Sequence, residues 1–167
     1  MKDANYWINK LNLKEHPEGG YYNETYRSDE SIEKTALPAR FDCTRSFSTA
    51  IYFLLKGDKF SAFHRFKSDE LWHFYTGSSI TLHIIDHNGK YNQIILGSDY
   101  ENGETFQAVI KAGFWFGATV NDRLSYALVG CTVSPGFNFN DFEIGNSKTL
   151  IKKYPSNRSI IEKLTLK

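Results

Sequence analysis

Two cysteines, Cys43 and Cys131, are all the chain contains, and they form no CxxC pattern. That removes the usual signature of a thiol redox centre or a cysteine-rich zinc module. A pair of reduced, partly buried thiols suits a cytoplasmic protein, which is the expected compartment. Charge of one sign is lacking too: 20 basic and 19 acidic side chains leave a formal net charge of +1. With no basic run or stripe, the electrostatic footprint of a nucleic-acid binder is missing. Apolar runs are short. None approaches the roughly 18 consecutive apolar residues of a membrane span. The opening MKDANYWINKLNL has neither the apolar stretch nor the small-residue cleavage site of a signal peptide. Repeats, low-complexity tracts and interdomain linkers are not seen. Residues 1–167 therefore read as one domain, able to bury roughly 70% of the surface that its unfolded chain exposes.

Aromatic rings are abundant instead, with 13 Phe, 10 Tyr and 3 Trp. Rings favour strands and fill the space between sheets. Alternating segments at 46–55, 59–66, 69–75, 79–86, 91–96, 105–110, 114–119, 124–133 and 137–143 are expected strands, divided by Gly- and Asn-containing turns. Asn88-Gly89 predicts a hairpin with a type I′ turn. Short strands at this spacing indicate an antiparallel sandwich or barrel, its core at about 46–143. Ala4, Trp7, Ile8 and Leu11 repeat at helical spacing behind an Asp3 cap. Residues 28–42 read as loop. A short helix is expected near 147–153, and a second after Pro155 with a Ser159/Glu162 capping box.

The segment GDKFSAFHRFKSDELWHFYTG (57–77) carries the chemistry. Alternation places Phe60, Ala62, His64 and Phe66 on one face of a strand, and Glu70, Trp72 and Phe74 on one face of the next. If both faces look inward, an imidazole and a carboxylate meet among rings, where burial raises the carboxylate's pKa and a charged imidazole beside it lowers it. Such a pair suits general acid–base catalysis. His64 and Glu70 are the candidate catalytic residues, and Trp72 is a stacking wall. His73 faces away from Glu70 unless a bulge shifts the register. His83 and His87 read as solvated residues beside the hairpin tip. In HPEGGYYNETYRS (16–28), extended backbone puts Tyr22 and Glu24 on one face, where they would reach a ligand at the barrel mouth. Arg27 and Arg45 read as surface residues.

The same segment resembles the first motif of the cupin superfamily, in which a glycine precedes H-x-H, a glutamate and a second glycine. Here the positions fall on Gly57, His64, Phe66, Glu70 and Gly77. The second motif, P-x-G-x-x-H, falls on Lys111, Gly113 and Phe116. HPEGGYYNETYRS, STAIYFLL, FHRF, DELWHFYTG and CTVSPGFNFNDFE together resemble the Cupin 5 domain-of-unknown-function family. That resemblance covers roughly 5–165 and implies an all-β jelly-roll barrel with short terminal helices, assembled as a homodimer. Cupin metals are held by three histidines and a glutamate, and Phe66 and Phe116 stand where two of those histidines belong. No metal and no cofactor is therefore expected, and both rings become candidate ligand-binding residues. The metal-free dTDP-sugar 3,5-epimerases are the nearer analogy: His64 matches their base, while Glu70 lies near the position of a lysine. The reading is a metal-poor cupin that binds a small polar molecule, with isomerase or epimerase chemistry at His64 and Glu70. A non-catalytic binder is the first alternative and a metal-dependent oxygenase the second. Neither nucleic acid nor membrane is an expected partner.

Overall fold

Two antiparallel sheets face each other across the aromatic core, and the elements that build them are short. The structure, a computed structural model, describes residues 2–166. Helix α1 (Ala4–Lys10) is followed by strands β1 (Lys14–Glu15), β2 (Tyr21–Arg27), β3 (Ser31–Ile32), β4 (Arg45–Ser46), β5 (Thr49–Lys56) and β6 (Phe60–Arg65). Next come β7 (Asp69–Gly77), β8 (Ile80–Ile85), β9 (Tyr91–Leu96), β10 (Gln107–Ile110), β11 (Trp115–Val120), β12 (Tyr126–Ser134) and β13 (Glu143–Ile144), then helices α2 (Ser147–Lys153) and α3 (Arg158–Lys163). One sheet has the order β1-β2-β5-β12-β7-β10 and the other β13-β6-β11-β8-β9, with β3-β4 as a separate pair. This is a cupin-type jelly roll with short terminal helices. No described helix is long and apolar enough to cross a membrane.

Between the sheets lie Phe53, Leu55, Trp72, Leu82, Phe116 and Val129, all nearly or fully buried. The outer side of the five-stranded sheet is closed by α2 and α3. There Leu150, Tyr154, Ile161 and Leu164 pack on Phe63, Ile85 and Trp115. Helix α1 covers part of the other sheet through Trp7 and Ile8 on Leu54 and Leu128. It is capped as expected, the Asp3 carboxylate accepting from the Tyr6 N–H at 2.8 Å.

Several expectations are corrected. The 88–89 hairpin forms, but Asn88 does not adopt positive φ and only Gly89 does (+82°). Asp86 Oδ1 closes the turn instead, accepting from the N–H groups of Asn88 and Lys90. Residues 137–142, expected to be strand, are not. They form a turn with a 3-10 segment at Phe139–Asp141 before β13. The 28–42 loop contains β3 and a 3-10 turn, Lys34–Ala36. Ser159 and Glu162 make no capping box, since α3 starts two residues earlier, behind Asn157 and without a side-chain cap, and Glu162 meets Arg158. His83 is buried, not solvated: its ring bonds Tyr91 and Thr119 beneath the C-terminal helices, and burial holds its pKa down at about 4.

The alternation along β6 also breaks. Phe116 pairs with His64 and Ala118 with Ser61, so β6 carries one extra residue there. A bulge of this kind lets residues three apart share a face. Ser61 and His64 consequently point inward together, while Phe60 and Phe63 pack outward under the C-terminal helices. The bulge in β7–β12 pairing lies beyond His73, at Tyr75, and leaves His73 on the outer face against Thr132 and Gln107.

The 137–142 turn is pinned by a buried ion pair. Arg45 donates from Nε to Asp141 Oδ2 at 2.7 Å and from Nη2 to Oδ1 at 2.6 Å, while Nη1 meets Cys43 and the Thr44 carbonyl. Arg45 is thus a core residue, contrary to its reading as a surface one. Removing one partner strands a buried charge, which costs about 3–5 kcal/mol. Asp141→Ala is expected to lower unfolding stability by that amount in urea titrations, whereas the double replacement Arg45→Met with Asp141→Leu recovers much of it. Equal losses in the single and double variants would contradict this account.

Candidate functional site in the barrel cavity

A cavity of about 200 Å³ opens at one end of the sandwich, lined by residues of β1, β2, β5, β6, β7 and β12, the His16–Gly20 turn and the 137–142 turn. Its polar end is organised around Glu18, which is 5% exposed. Gly19 and Gly20 make the turn possible. Both have positive φ (+106° and +74°), and a Cβ on Gly19 would stand 2.4 Å from the Phe60 carbonyl oxygen. Only glycine fits such a position. The turn is fastened to β6 by the Ala62 N–H, which donates to the Glu18 carbonyl at 2.8 Å.

The Glu18 carboxylate meets three side chains. Ser61 Oγ donates to Oε1 at 2.8 Å, His64 Nε2 lies 3.0 Å from Oε2, and His16 Nδ1 lies 3.3 Å from the same oxygen. His64 Nδ1 is 2.8 Å from the Ala62 carbonyl. A carbonyl and a carboxylate are both acceptors, so the ring faces donors' work on both nitrogens and is held as imidazolium. Burial alone would push the His64 pKa down, but Glu18 reverses this and raises it. Burial likewise pushes Glu18 up, and His64, His16 and Ser61 together bring it below the usual range. Half-buried His16 is held below its ordinary value, mainly by desolvation.

Glu70 stands apart from this pair. Its Oε2 accepts from Trp72 Nε1 at 2.6 Å. Burial pushes its pKa up to about 7, with Trp72 and His64 opposing the shift. The buried Cys131 thiol, beside Glu70, is pushed well above its usual value by burial first and by Glu70 second. The remaining walls are Phe53, Phe66 and Trp72, and the roof is Phe137, Phe139 and Phe142. At the rim Glu24 and Arg27 form a two-point ion pair of 2.9 and 2.7 Å, and Arg27 also donates to the Phe137 carbonyl at 3.1 Å. Lys14 lies over the ring of Tyr22.

His64, Glu70, Trp72, Phe66, Tyr22 and Glu24 therefore all line one cavity. Two details differ from the sequence reading. The carboxylate that bonds His64 is Glu18, not Glu70. Phe116 does not line the cavity; it is buried behind His64, with ring centroids 4.0 Å apart. Glu18, His16 and Ser61 were not legible as site residues. The only signal was Glu18 beside two glycines, which does not reveal that the turn inserts into the barrel.

A metal of the cupin kind does not fit these donors. Both His64 nitrogens are engaged, and Phe66 and Phe116 bring rings without lone pairs to the two positions that would complete a site. Among the described residues no three His, Cys, Asp or Glu side chains are grouped to hold an ion, whereas catalytic zinc takes three protein ligands.

The charges set a pH dependence. Glu18, depressed when folded, contributes stability above about pH 4.5, lost as pH falls through its folded value. His64, raised when folded, contributes below about 6.5 and loses this as pH rises through its folded value. Glu70 acts oppositely, because the folded state binds its proton more tightly, so stability drops as pH rises from about 4.5 to 7. Glu70→Gln is expected to stabilise the protein at pH 8 by up to about 3 kcal/mol and to change little at pH 4, measured by urea unfolding. A loss of stability at pH 8 would show that ionised Glu70 is well accommodated.

Known proteins share this architecture. The chain is 36% identical to protein SO0799 of Shewanella oneidensis, with a TM-score of 0.89 over 99% of both chains. It is 33% identical to a hypothetical protein from Leishmania major, again with a TM-score of 0.89 over 99% of both. The uncharacterised protein YML079W of Saccharomyces cerevisiae is 31% identical over 143 residues, 80% of this chain and 71% of that one. Bacillus subtilis oxalate decarboxylase shares the fold at 15% identity and a TM-score of 0.54, this chain spanning 36% of its length. The profile of Cupin 5, described as cupin superfamily (DUF985), matches residues 5–145. With its jelly roll and its barrel cavity, the chain belongs to the Cupin 5 family of the cupin superfamily.

Proposed function

We propose that the protein is a metal-independent enzyme that moves a proton on a small polar molecule held in the barrel cavity, as an isomerase or epimerase does. The observation that carries this is Glu70: a buried carboxyl with a pKa of about 7, oriented by the Trp72 N–H on an otherwise aromatic wall. A group that titrates near neutrality both gives and takes a proton at working pH. Perturbed carboxyls in clefts are also where acid–base chemistry concentrates. His64 contributes as the fixed positive charge that holds Glu18 in place. Trp72 and Phe66 supply apolar walls, and Tyr22 and Glu24 stand toward the entrance. A volume of about 200 Å³ lies below the roughly 300–1,000 Å³ of drug-sized ligand sites. Size therefore favours a small metabolite over a nucleotide sugar.

One observation favours the second reading, binding without turnover: both ring nitrogens of His64 are already committed, so its role is structural until a ligand displaces Glu18. Incubation with short α-hydroxyaldehydes and α-hydroxyketones in deuterated water separates the two. The enzyme reading expects deuterium at the carbon beside the carbonyl of at least one probe, and a loss of about 100-fold or more in Glu70→Gln. Tight binding of a probe with no exchange would leave only the binding reading.

The homodimer is proposed on the outer face of the six-stranded sheet, where Leu71, Tyr75, Phe106 and Val109 are exposed and apolar patches mark contact surfaces. Replacing Leu71 and Val109 with lysine is expected to convert a dimer to a monomer in sedimentation equilibrium. A monomeric wild-type protein would rule the assembly out.

A further inference from the structure

We propose that His16 is the residue that exchanges a proton with the ligand, and that Glu18 is its positioning residue, bridging His16 to the fixed His64. This rests on the proton-transfer reading of the cavity and identifies the base that reading lacks. Three histidine or carboxylate groups crowd the polar end, and their nitrogens are not equally available. His64 Nδ1 is bonded to the Ala62 carbonyl and Nε2 to Glu18. On His16, every described contact falls on Nδ1: the Glu18 N–H at 3.4 Å and the Glu18 Oε2 at 3.3 Å. No buried side-chain nitrogen or oxygen among the described residues lacks a partner. His16 Nε2 has no hydrogen-bond partner among the described residues, so it is not sealed in the core, and His16 lines the cavity.

The two neighbours of Nδ1 ask for opposite things. The backbone N–H needs a lone pair there, and the carboxylate oxygen needs a proton. Both contacts are longer than a strong hydrogen bond, so neither locks the ring. The proton sits on Nδ1, leaving Nε2 as a base, or on Nε2, leaving it as a donor. That freedom is what an acid–base residue requires, and a single-tautomer structural histidine lacks it. The ring itself is held firmly, edge-on to Tyr22 at 4.7 Å and to Phe142 at 5.6 Å and stacked on Phe139 at 6.1 Å. The nitrogen is therefore placed even though its proton is not.

The step balances without any co-reactant. On an α-hydroxy carbonyl compound, His16 Nε2 removes the proton from the carbon beside the carbonyl. The C–H electron pair becomes the C=C bond, and the carbonyl π pair moves to oxygen, which takes the Glu70 proton. Return of the His16 proton to the neighbouring carbon, with Glu70 regaining a proton from the other hydroxyl, gives the isomer. Return to the same carbon on the opposite face would need a second acid, so His16 with Glu70 favours isomerisation.

Two measurements on the whole protein test this separately. With glyceraldehyde, dihydroxyacetone, erythrulose and xylose in deuterated water, His16→Ala is expected to lose about 100-fold or more of wild-type exchange while keeping its melting temperature, and added imidazole to restore part of it. A folded His16→Ala, or a folded His16→Gln, that exchanges at the wild-type rate would overturn the assignment. Nitrogen NMR of the free wild-type protein with labelled histidine needs no substrate. It should show intermediate shifts at both His16 nitrogens, collapsing to the Nε2–H tautomer in Glu18→Gln. A single fixed tautomer, unmoved by that change, would overturn the positioning role of Glu18. If no probe exchanges in the wild type, the proton-transfer reading falls, and the NMR result alone decides whether His16 keeps a poised nitrogen.

Discussion

The buried carboxylate of Glu18 is the point on which the interior depends. An unpaired carboxylate at that depth would cost several kcal/mol, and here a serine hydroxyl and two imidazoles surround it. Satisfying it dictates much else: the positive-φ glycines that bring residue 18 inside, the β6 bulge that turns Ser61 and His64 the same way, and the imidazolium state of His64. The pair is close to neutral as a unit. Glu70 is left as the ionisable carboxyl of the interior without a close cationic partner, which is why burial dominates its titration.

Around that polar end the cavity is lined mostly by aromatic rings. The roof residues Phe137, Phe139 and Phe142 sit on a short irregular turn, where backbone alone would hold them poorly. The Arg45–Asp141 fork fixes that turn to the strand pair β3-β4 at the edge of the fold. Arg27 adds a second tie, from β2 to the Phe137 carbonyl. Two guanidinium groups that read from sequence as surface residues thus serve as brackets. The roof they hold in place adds to the burial that shifts the Glu70 pKa.

Where the sequence was legible, a local rule was at work. Period-two alternation on β7 placed Glu70 and Trp72 inside and Leu71, His73 and Tyr75 outside, as the structure has them. The α1 spacing and its Asp3 cap follow from i, i+3, i+4 contacts, and the 147–153 helix was readable for the same reason. Rules of this kind failed where one residue was inserted or where a non-local group took over. The β6 bulge displaced Phe60 from the inner face. Asp86 replaced the expected type I′ turn by bonding two backbone N–H groups. His83, polar and near a hairpin, was drawn under α3 by packing that lies 80 residues away in the chain.

The sequence by itself determined the fold family and the residues of the cavity wall on β2, β6 and β7, because strand alternation and motif spacing are properties of neighbouring positions. It also determined that metal ligation of the cupin kind is broken, since a phenyl ring has no lone pair wherever it points. Only the tertiary structure decided which groups are free to react. Whether an imidazole is a base, a donor or a fixed charge depends on what meets each of its nitrogens. Those partners come from segments far apart in sequence: Glu18 for His64 across 46 positions, the bulged β6 for Glu18, and the 137–142 turn for the ring of His16. The feature most visible in the sequence, His64 with Glu70, is in the folded protein two separate devices, because a turn whose role no spacing rule could reveal brings Glu18 to His64 and leaves Glu70 with Trp72.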